Sequence, residues 1–417
     1  MAQAAGDRLG LYISIPFCRS KCTYCNFASG VYPAGDHERY VDRLIEDLTA
    51  AGSWAAARGA ELPRRVDTIY LGGGTPSLLA PELIARLFAA VRGEFDLEAG
   101  AEITVECAPG QVADAGLEAM AWAGVNRVSL GVQSFIDREA HTSGRLHSRA
   151  LVFDDLRRIR SAGITNLNID LIAGLAGQTA ATWEDSVRVL IDTGVPHASI
   201  YMLEIDEDSR LGREMLAGGA RYHAGLVPSD DAIARMYETA IERLESAGLK
   251  QYEISNFARG GFESRHNLRY WLRRPYLGIG LDAASALRGL DENASAIRGQ
   301  EPADVLRAKT TDHLKDYLNG VSVSEATWLS PARQHEEAWF LGLRLNAGVD
   351  VRSLEREFGR EAIAGSLKTV ERLERDGLLS VDGDMVWLTP QGRLLSNDVF
   401  AEFLAIDAIE VEGNAVS

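Results

Sequence analysis

Along the chain, short apolar runs alternate with segments of helical period. Six runs read as strands: Leu11 to Ile15, Thr68 to Leu71, Glu102 to Glu106, Arg127 to Val132, Asn168 to Ile172 and Ala198 to Leu203. Stretches such as Ile169-Asp170-Leu171-Ile172 are apolar almost throughout, the pattern of parallel strands covered on both faces. Between the runs, Glu38 to Ala51, Pro81 to Val91, Ala115 to Ala123, Ala150 to Ala162 and Thr182 to Asp192 carry amphipathic spacing. Gly52, Gly124, Gly163 and Gly194 stand where left-handed C-terminal caps would fall. Alternation of this kind builds a parallel sheet, so residues 1–228 are expected to form an α/β unit, an open partial (β/α)6 barrel. Chemistry in such barrels sits at the C-terminal strand ends, where Glu106, Gln133 and Asp170 fall, with Tyr201 just before the sixth run closes.

The rhythm changes near Ser229. A long helical stretch runs to Ala247, followed by Gln251 to Phe257, a basic and aromatic segment from His266 to Tyr276, and a glycine-rich, strand-like run from Leu277 to Ala286. Residues 229–300 are therefore expected to be a linking segment, and residues 301–417 a C-terminal, mostly helical domain. The helix expected over Glu361 to Asp376, the pair Leu378-Leu379 and a hairpin around Gly383 resemble a winged-helix module.

Composition narrows the function classes. The formal net charge is −17, with no Lys/Arg cluster long enough to track a phosphate backbone, which argues against nucleic acid as a partner and against DNA binding by the wing. The first residues lack the charged start and apolar run of a signal peptide, and no apolar stretch approaches the roughly 18 residues of a membrane span. The expected compartment is the cytoplasm, with peripheral membrane contact left open. Three of the four cysteines fall within eight residues, a pattern that suits metal ligation rather than a disulfide framework.

The strongest chemical signal is Ile15-Pro-Phe-Cys18-Arg-Ser-Lys-Cys22-Thr-Tyr-Cys25-Asn-Phe27, directly after the first strand. Three thiolates on one loop can hold three irons of a [4Fe-4S] cluster and leave the fourth open to an outside chelator such as S-adenosyl-L-methionine. A structural zinc site is the alternative, but zinc wants four N/S ligands with tighter pairs, and Cys107 is the only other cysteine. Next comes Leu71-Gly72-Gly73-Gly74-Thr75-Pro76-Ser77, whose glycines let backbone amides and carbonyls approach a ligand; the Lys-Ser/Thr of a phosphate-binding loop is missing. Glu106, Gln133, Arg145 and Asp170 can read the amine, carboxylate and ribose hydroxyls of the same ligand, or serve as salt bridges and caps. In Ser264-Arg-His266-Asn267-Leu-Arg-Tyr270-Trp271, His266 can ligate a heme iron while Arg265 or Arg269 pairs with propionates, or it can be a structural histidine.

Taken together, these motifs resemble the radical S-adenosylmethionine superfamily, and within it the oxygen-independent coproporphyrinogen III oxidase branch, over nearly the whole chain from Tyr12 to Phe403. The resemblance implies that Cys18, Cys22 and Cys25 bind the cluster and that Tyr12, Tyr24, Gly73, Gly74, Thr75, Glu106, Gln133, Arg145 and Asp170 hold the adenosyl ligand. The decarboxylating members carry one more cysteine, two residues after the third of the triad, where this chain has Phe27; that favours the heme chaperones of the branch. The resemblance thus implies a chain that binds heme, with His266 as iron ligand, and passes it to an acceptor protein. The alternative is a radical enzyme of the coproporphyrinogen III dehydrogenase type, or a related methyltransferase, fed by an electron donor. Two departures stand out. The strand after Tyr276 usually ends in a histidine but reads Gly280-Leu-Asp282-Ala283-Ala284-Ser285, and the usual Gly-Leu-Pro-Gly-Gln-Thr reads Gly174-Leu-Ala176-Gly177-Gln178-Thr179.

Overall fold

The computed structural model describes residues 8–290 and 304–404. The boundary expected between residues 300 and 301, and the N-terminal residues read for a signal peptide, lie outside the described residues.

All six expected strands form: β1 (Arg8–Ile15), β2 (Arg65–Gly73), β3 (Asp96–Cys107), β4 (Arg127–Gln133), β5 (Asn166–Ala173) and β6 (His197–Met202). They lie side by side in chain order, each parallel to the next. β4 is buried at every position, and Leu9, Leu11, Ile13 and Ile15 of β1 are fully enclosed, which explains why these strands read as near-continuous apolar runs. The covering helices are Ala34–Ala56, Pro81–Glu94, Asp114–Ala123, Arg149–Ser161 and Ala180–Asp192. Gly124, Gly163 and Gly194 take the left-handed conformation at the ends of three of them. Gly52 does not, because its helix continues past it to Ala56.

The sheet stays open, and other strands extend both edges. On one side β8 (Asn256–Ala258), paired in turn with β7 (Lys250–Gln251), adds antiparallel to β6. On the other, β9 (Tyr276–Ile279) runs parallel to β1, followed antiparallel by β10 (Ala284–Arg288), β11 (Val305–Thr310) and β12 (Val323–Leu329). The last two complete this sheet, and the chain beyond them is mostly helical, as expected. A second core then forms around Trp339, Leu343, Val370, Leu373, Val386 and Phe403. Here helices Pro331–Leu343, Val351–Phe358 and Arg360–Arg375 pack on a three-stranded sheet of β13 (Val349–Asp350), β15 (Met385–Leu388) and β14 (Leu379–Asp382). The hairpin turns at Gly383 with positive φ, as the winged-helix likeness required.

No helix among the described residues is long and apolar enough to cross a membrane.

Candidate functional site: a cavity at the strand ends

A cavity of about 950 Å³ opens at the C-terminal ends of the parallel strands. Its wall gathers Cys18, Cys22 and Cys25 with Tyr24, Gly73, Gly74, Thr75, Glu106, Gln133, Arg145 and Asp170, residues scattered over some 150 positions of sequence. Strand ends bring them together, as the topology demands.

The cysteine loop is held in shape by its neighbours. Cys18 N–H donates to Gly30 O at 2.8 Å, Thr75 N–H to Phe17 O at 2.8 Å, and Thr23 N–H to Ser143 O at 3.0 Å. Lys21 Nζ ties the far side of the loop to Ser29 O at 2.9 Å. Two glycines make room for it. A Cβ on Gly74 would stand 2.7 Å from Ile15 O, and one on Gly144 would stand 3.1 Å from the Cα of Cys22. Gly73 adopts φ +91, where a side chain is strained, and a Cβ there would meet Ser14 Oγ at 2.6 Å and the Tyr12 hydroxyl at 3.4 Å. Thr75 Oγ1 and Ser29 Oγ lie 3.9 and 3.8 Å from the sulfurs of Cys18 and Cys25. Burial pushes the Cys18 thiol up, against the pull of those hydroxyls, so a metal must supply the drive to deprotonate it. Among the described residues no three His, Cys, Asp or Glu side chains converge on a point that would hold one ion, and a cubane, which spreads its ligands over separate irons, asks for no such point. Cys107, buried at the end of β3 and raised to about 12 by that burial, is a thiol at working pH.

The polar wall is only partly satisfied from within. Asp170 accepts from Asn168 Nδ2 at 2.7 Å and Ser129 Oγ at 3.1 Å; burial raises it, and those bonds restrain the rise. Glu106 accepts from the Tyr70 hydroxyl at 2.8 Å, and burial lifts it to about 7 despite that bond. Gln133 Oε1 and Arg145 Nε, by contrast, are buried with no partner. Gln133 also holds φ +69, uncommon for a residue with a side chain. Unpaired buried polar atoms cost about 1–3 kcal/mol each, and these two belong to the cavity wall, where a polar ligand can complete their bonding. A zwitterion with a ribose fits that donor and acceptor set.

The structure does not bring Tyr12 or His266 into that wall. Tyr12 stands beside it, its ring 6.2 Å from that of Tyr70. His266 is fully buried beneath, in the helix Arg265–Trp271, whose first turn is capped by Ser264 Oγ and by both oxygens of Glu102. Its Nδ1 lies 2.9 Å from Thr68 Oγ1 and its Nε2 lies 2.8 Å from the Tyr270 hydroxyl. Thr68 Oγ1 also accepts from Arg269 Nε at 3.3 Å, so both ring nitrogens and the threonine hydroxyl are engaged within the protein. Burial lowers this histidine to about 3.

Residues 12–190 match the sequence model of the Radical SAM superfamily, and residues 329–395 that of the HemN C-terminal domain. The Lactococcus lactis protein "Heme chaperone HemW" is 34% identical, covering 95% of this chain and 97% of its own. The Bacillus subtilis protein of the same name is 32% identical over 94% and 98%. The chain belongs to the HemW family. A solved structure described as coproporphyrinogen III oxidase (HemN) from Escherichia coli, 24% identical, covers 96% of the chain with a TM-score of 0.78 and shows the same fold.

For this HemW-family chain, sequence reasoning missed part of the cavity. Arg127, Ser129, Asn168 and Ser199 line it from below, and Arg344 with Leu394 to Asp398 line it from the C-terminal module. Alternation along β4 carried the signal: Arg127, Ser129, Gly131 and Gln133 share one face. Both departures noted in the sequence span a turn. Asp282 takes φ +53 and pairs with Lys309 at 2.8 Å, while Gln178 Oε1 accepts from Gly174 N–H at 2.6 Å and holds the turn without proline.

Proposed function

We propose that the chain is a heme chaperone that binds heme and passes it to an acceptor protein, carrying a [4Fe-4S] cluster and S-adenosyl-L-methionine in its barrel. Near full-length likeness to proteins named for that activity carries the reading, and Phe27 supports it: 63% exposed on the cysteine loop, it offers no fourth thiol. Cys18, Cys22 and Cys25 are the proposed cluster ligands. When bound, a cluster of this type supplies a low-potential electron and an open iron that can chelate an amino acid. Tyr24, Gly73, Gly74, Thr75, Glu106, Gln133, Arg145 and Asp170 then orient the adenosyl ligand, with Tyr12 at their edge. Glu106 and Asp170 offer carboxylates to amine and hydroxyls, and Arg145 and Gln133 offer their unpartnered atoms. The cytoplasm is the proposed compartment, in keeping with four free cysteines.

His266 is proposed as a heme-iron ligand in a form of the protein where the helix Arg265–Trp271 has moved. To bind iron through Nε2 the ring must give up its bond to the Tyr270 hydroxyl and carry its proton on Nδ1. Titration of heme into wild type and His266→Ala tests this: weaker binding and a changed Soret band are expected, and identical curves would remove the assignment.

A second reading, a radical enzyme acting on a porphyrinogen, is favoured by one feature, the complete ligand wall around a cavity larger than one adenosyl ligand needs. Anaerobic incubation with coproporphyrinogen and dithionite separates the two. Enzyme-dependent protoporphyrinogen would overturn the chaperone reading.

A further inference from the structure

Arg127 opens β4 and is enclosed, with 2% of its surface exposed. A guanidinium keeps its charge at all working pH and presents five donors, so a buried one ordinarily has a carboxylate partner. Among the described residues Arg127 enters none of the ion pairs, and its Nε has no hydrogen-bond partner. Its charge is felt by Asp170 and Tyr70, but neither pairs with it. It lines the same cavity as the cysteines.

Depth separates it from the residues already assigned. The register sets Arg127 against Thr104 of β3 and Asn166 of β5, whereas Asp170 lies opposite Gly131. At ~3.3 Å per residue, the backbone of Arg127 is about 13 Å below that of Gly131 and about 20 Å below Gln133. The helix Arg265–Trp271 packs against β2, where His266 meets Thr68, and its Asn267 is also on the cavity surface. A ligand chelated at the cysteine loop keeps its amino-acid end among the strand tops. The floor therefore waits for a different carboxylate, and the cavity volume, near the upper end of small-molecule sites, leaves room for a second ligand below the first.

We propose that Arg127 anchors a carboxylate of the tetrapyrrole carried in this cavity, distinct from the methionyl carboxylate held above. This rests on the heme-carrying reading. In that role the guanidinium exchanges an unpaired burial for a bidentate, charge-assisted contact.

The test uses the full chain with heme and heme dimethyl ester, read by Soret absorbance, and S-adenosylmethionine, read by equilibrium dialysis. Wild type should hold free heme about tenfold to a hundredfold more tightly than the ester. That preference should vanish in Arg127→Gln and survive in part in Arg127→Lys, with S-adenosylmethionine binding unchanged in both. The wild-type comparison of acid with ester needs no mutant to fold. Heme bound with no preference for the free acid, or a loss in Arg127→Gln confined to S-adenosylmethionine, would overturn the inference alone. No uptake of heme by wild type would instead overturn the carrier reading on which it stands.

Discussion

Two regions of the chain read alike from sequence, as polar groups gathered for a ligand, yet the structure treats them differently. The strand-end wall leaves Gln133 Oε1 and Arg145 Nε buried and unpartnered and Glu106 lifted to about 7. The pocket of His266 is complete: Thr68 and Tyr270 take both ring nitrogens, and Tyr70 and Tyr270 lie against the ring at 5.3 and 5.2 Å. A site built for a ligand keeps bonding capacity in reserve, whereas a structural pocket spends it internally. The wall is thus ready for its ligand in the fold as it stands, while His266 can serve iron only after local opening.

The sharpest way to break that contrast is at the thiols. Replacing Cys18, Cys22 or Cys25 by alanine should abolish the four-iron signature in anaerobically reconstituted protein, while Cys107→Ala keeps it; iron and sulfide analysis decides. At the complete pocket the effect should fall on stability. His266→Ala should cost about 3 kcal/mol in denaturant unfolding, from the lost packing and two broken hydrogen bonds. The sign with pH follows from a histidine held down at about 3 in the fold and near 6.5 unfolded: its contribution is present above 6.5 and is lost as pH falls toward 3. Wild type should therefore lose more stability than His266→Ala on acidification over that window.

Glu106 should behave in the opposite sense. Its folded value of about 7 exceeds its unfolded 4.5, so the native chain holds the proton more tightly and loses stability as pH rises between the two. Glu106→Gln should leave stability near pH 4 little changed, raise it by about 2 kcal/mol at pH 8, and weaken S-adenosylmethionine binding about tenfold, most visibly above pH 7. A variant no more stable at pH 8 than wild type would show that the wall is satisfied after all. The smallest effect belongs to a turn outside both regions. Gln178 N–H bonds Leu175 O at 2.9 Å with Gly177 at φ +80, the arrangement of a type II turn whose second residue, Ala176, suits proline. Ala176→Pro should add about 0.5–1 kcal/mol in thermal unfolding and leave ligand binding unchanged.

How much of this was legible beforehand follows burial. The six parallel strands announce themselves because both faces are covered, so Val128, Leu130 and Val132, or Leu167, Ile169 and Leu171, leave apolar runs in the sequence. The cysteine loop and the Gly73-Gly74 turn were legible because few backbones need that chemistry. β12 was not, since Ser324 to Thr327 are exposed on an edge strand and show no apolar period. Arg127 was hidden for a different reason: a charged residue at the start of a strand looks like a surface residue until the register shows that it points into the barrel. The satisfaction of His266 was equally invisible, because Thr68 lies 198 residues away in the chain.

The central claim is that three sulfurs hold a four-iron cluster with one iron open to S-adenosylmethionine. Mössbauer spectra of iron-57-reconstituted protein, recorded with and without that ligand, test it most directly. One iron of the four should change its environment on addition while the other three keep theirs. Spectra that do not change, or protein that takes up zinc in place of iron and sulfide, would contradict it.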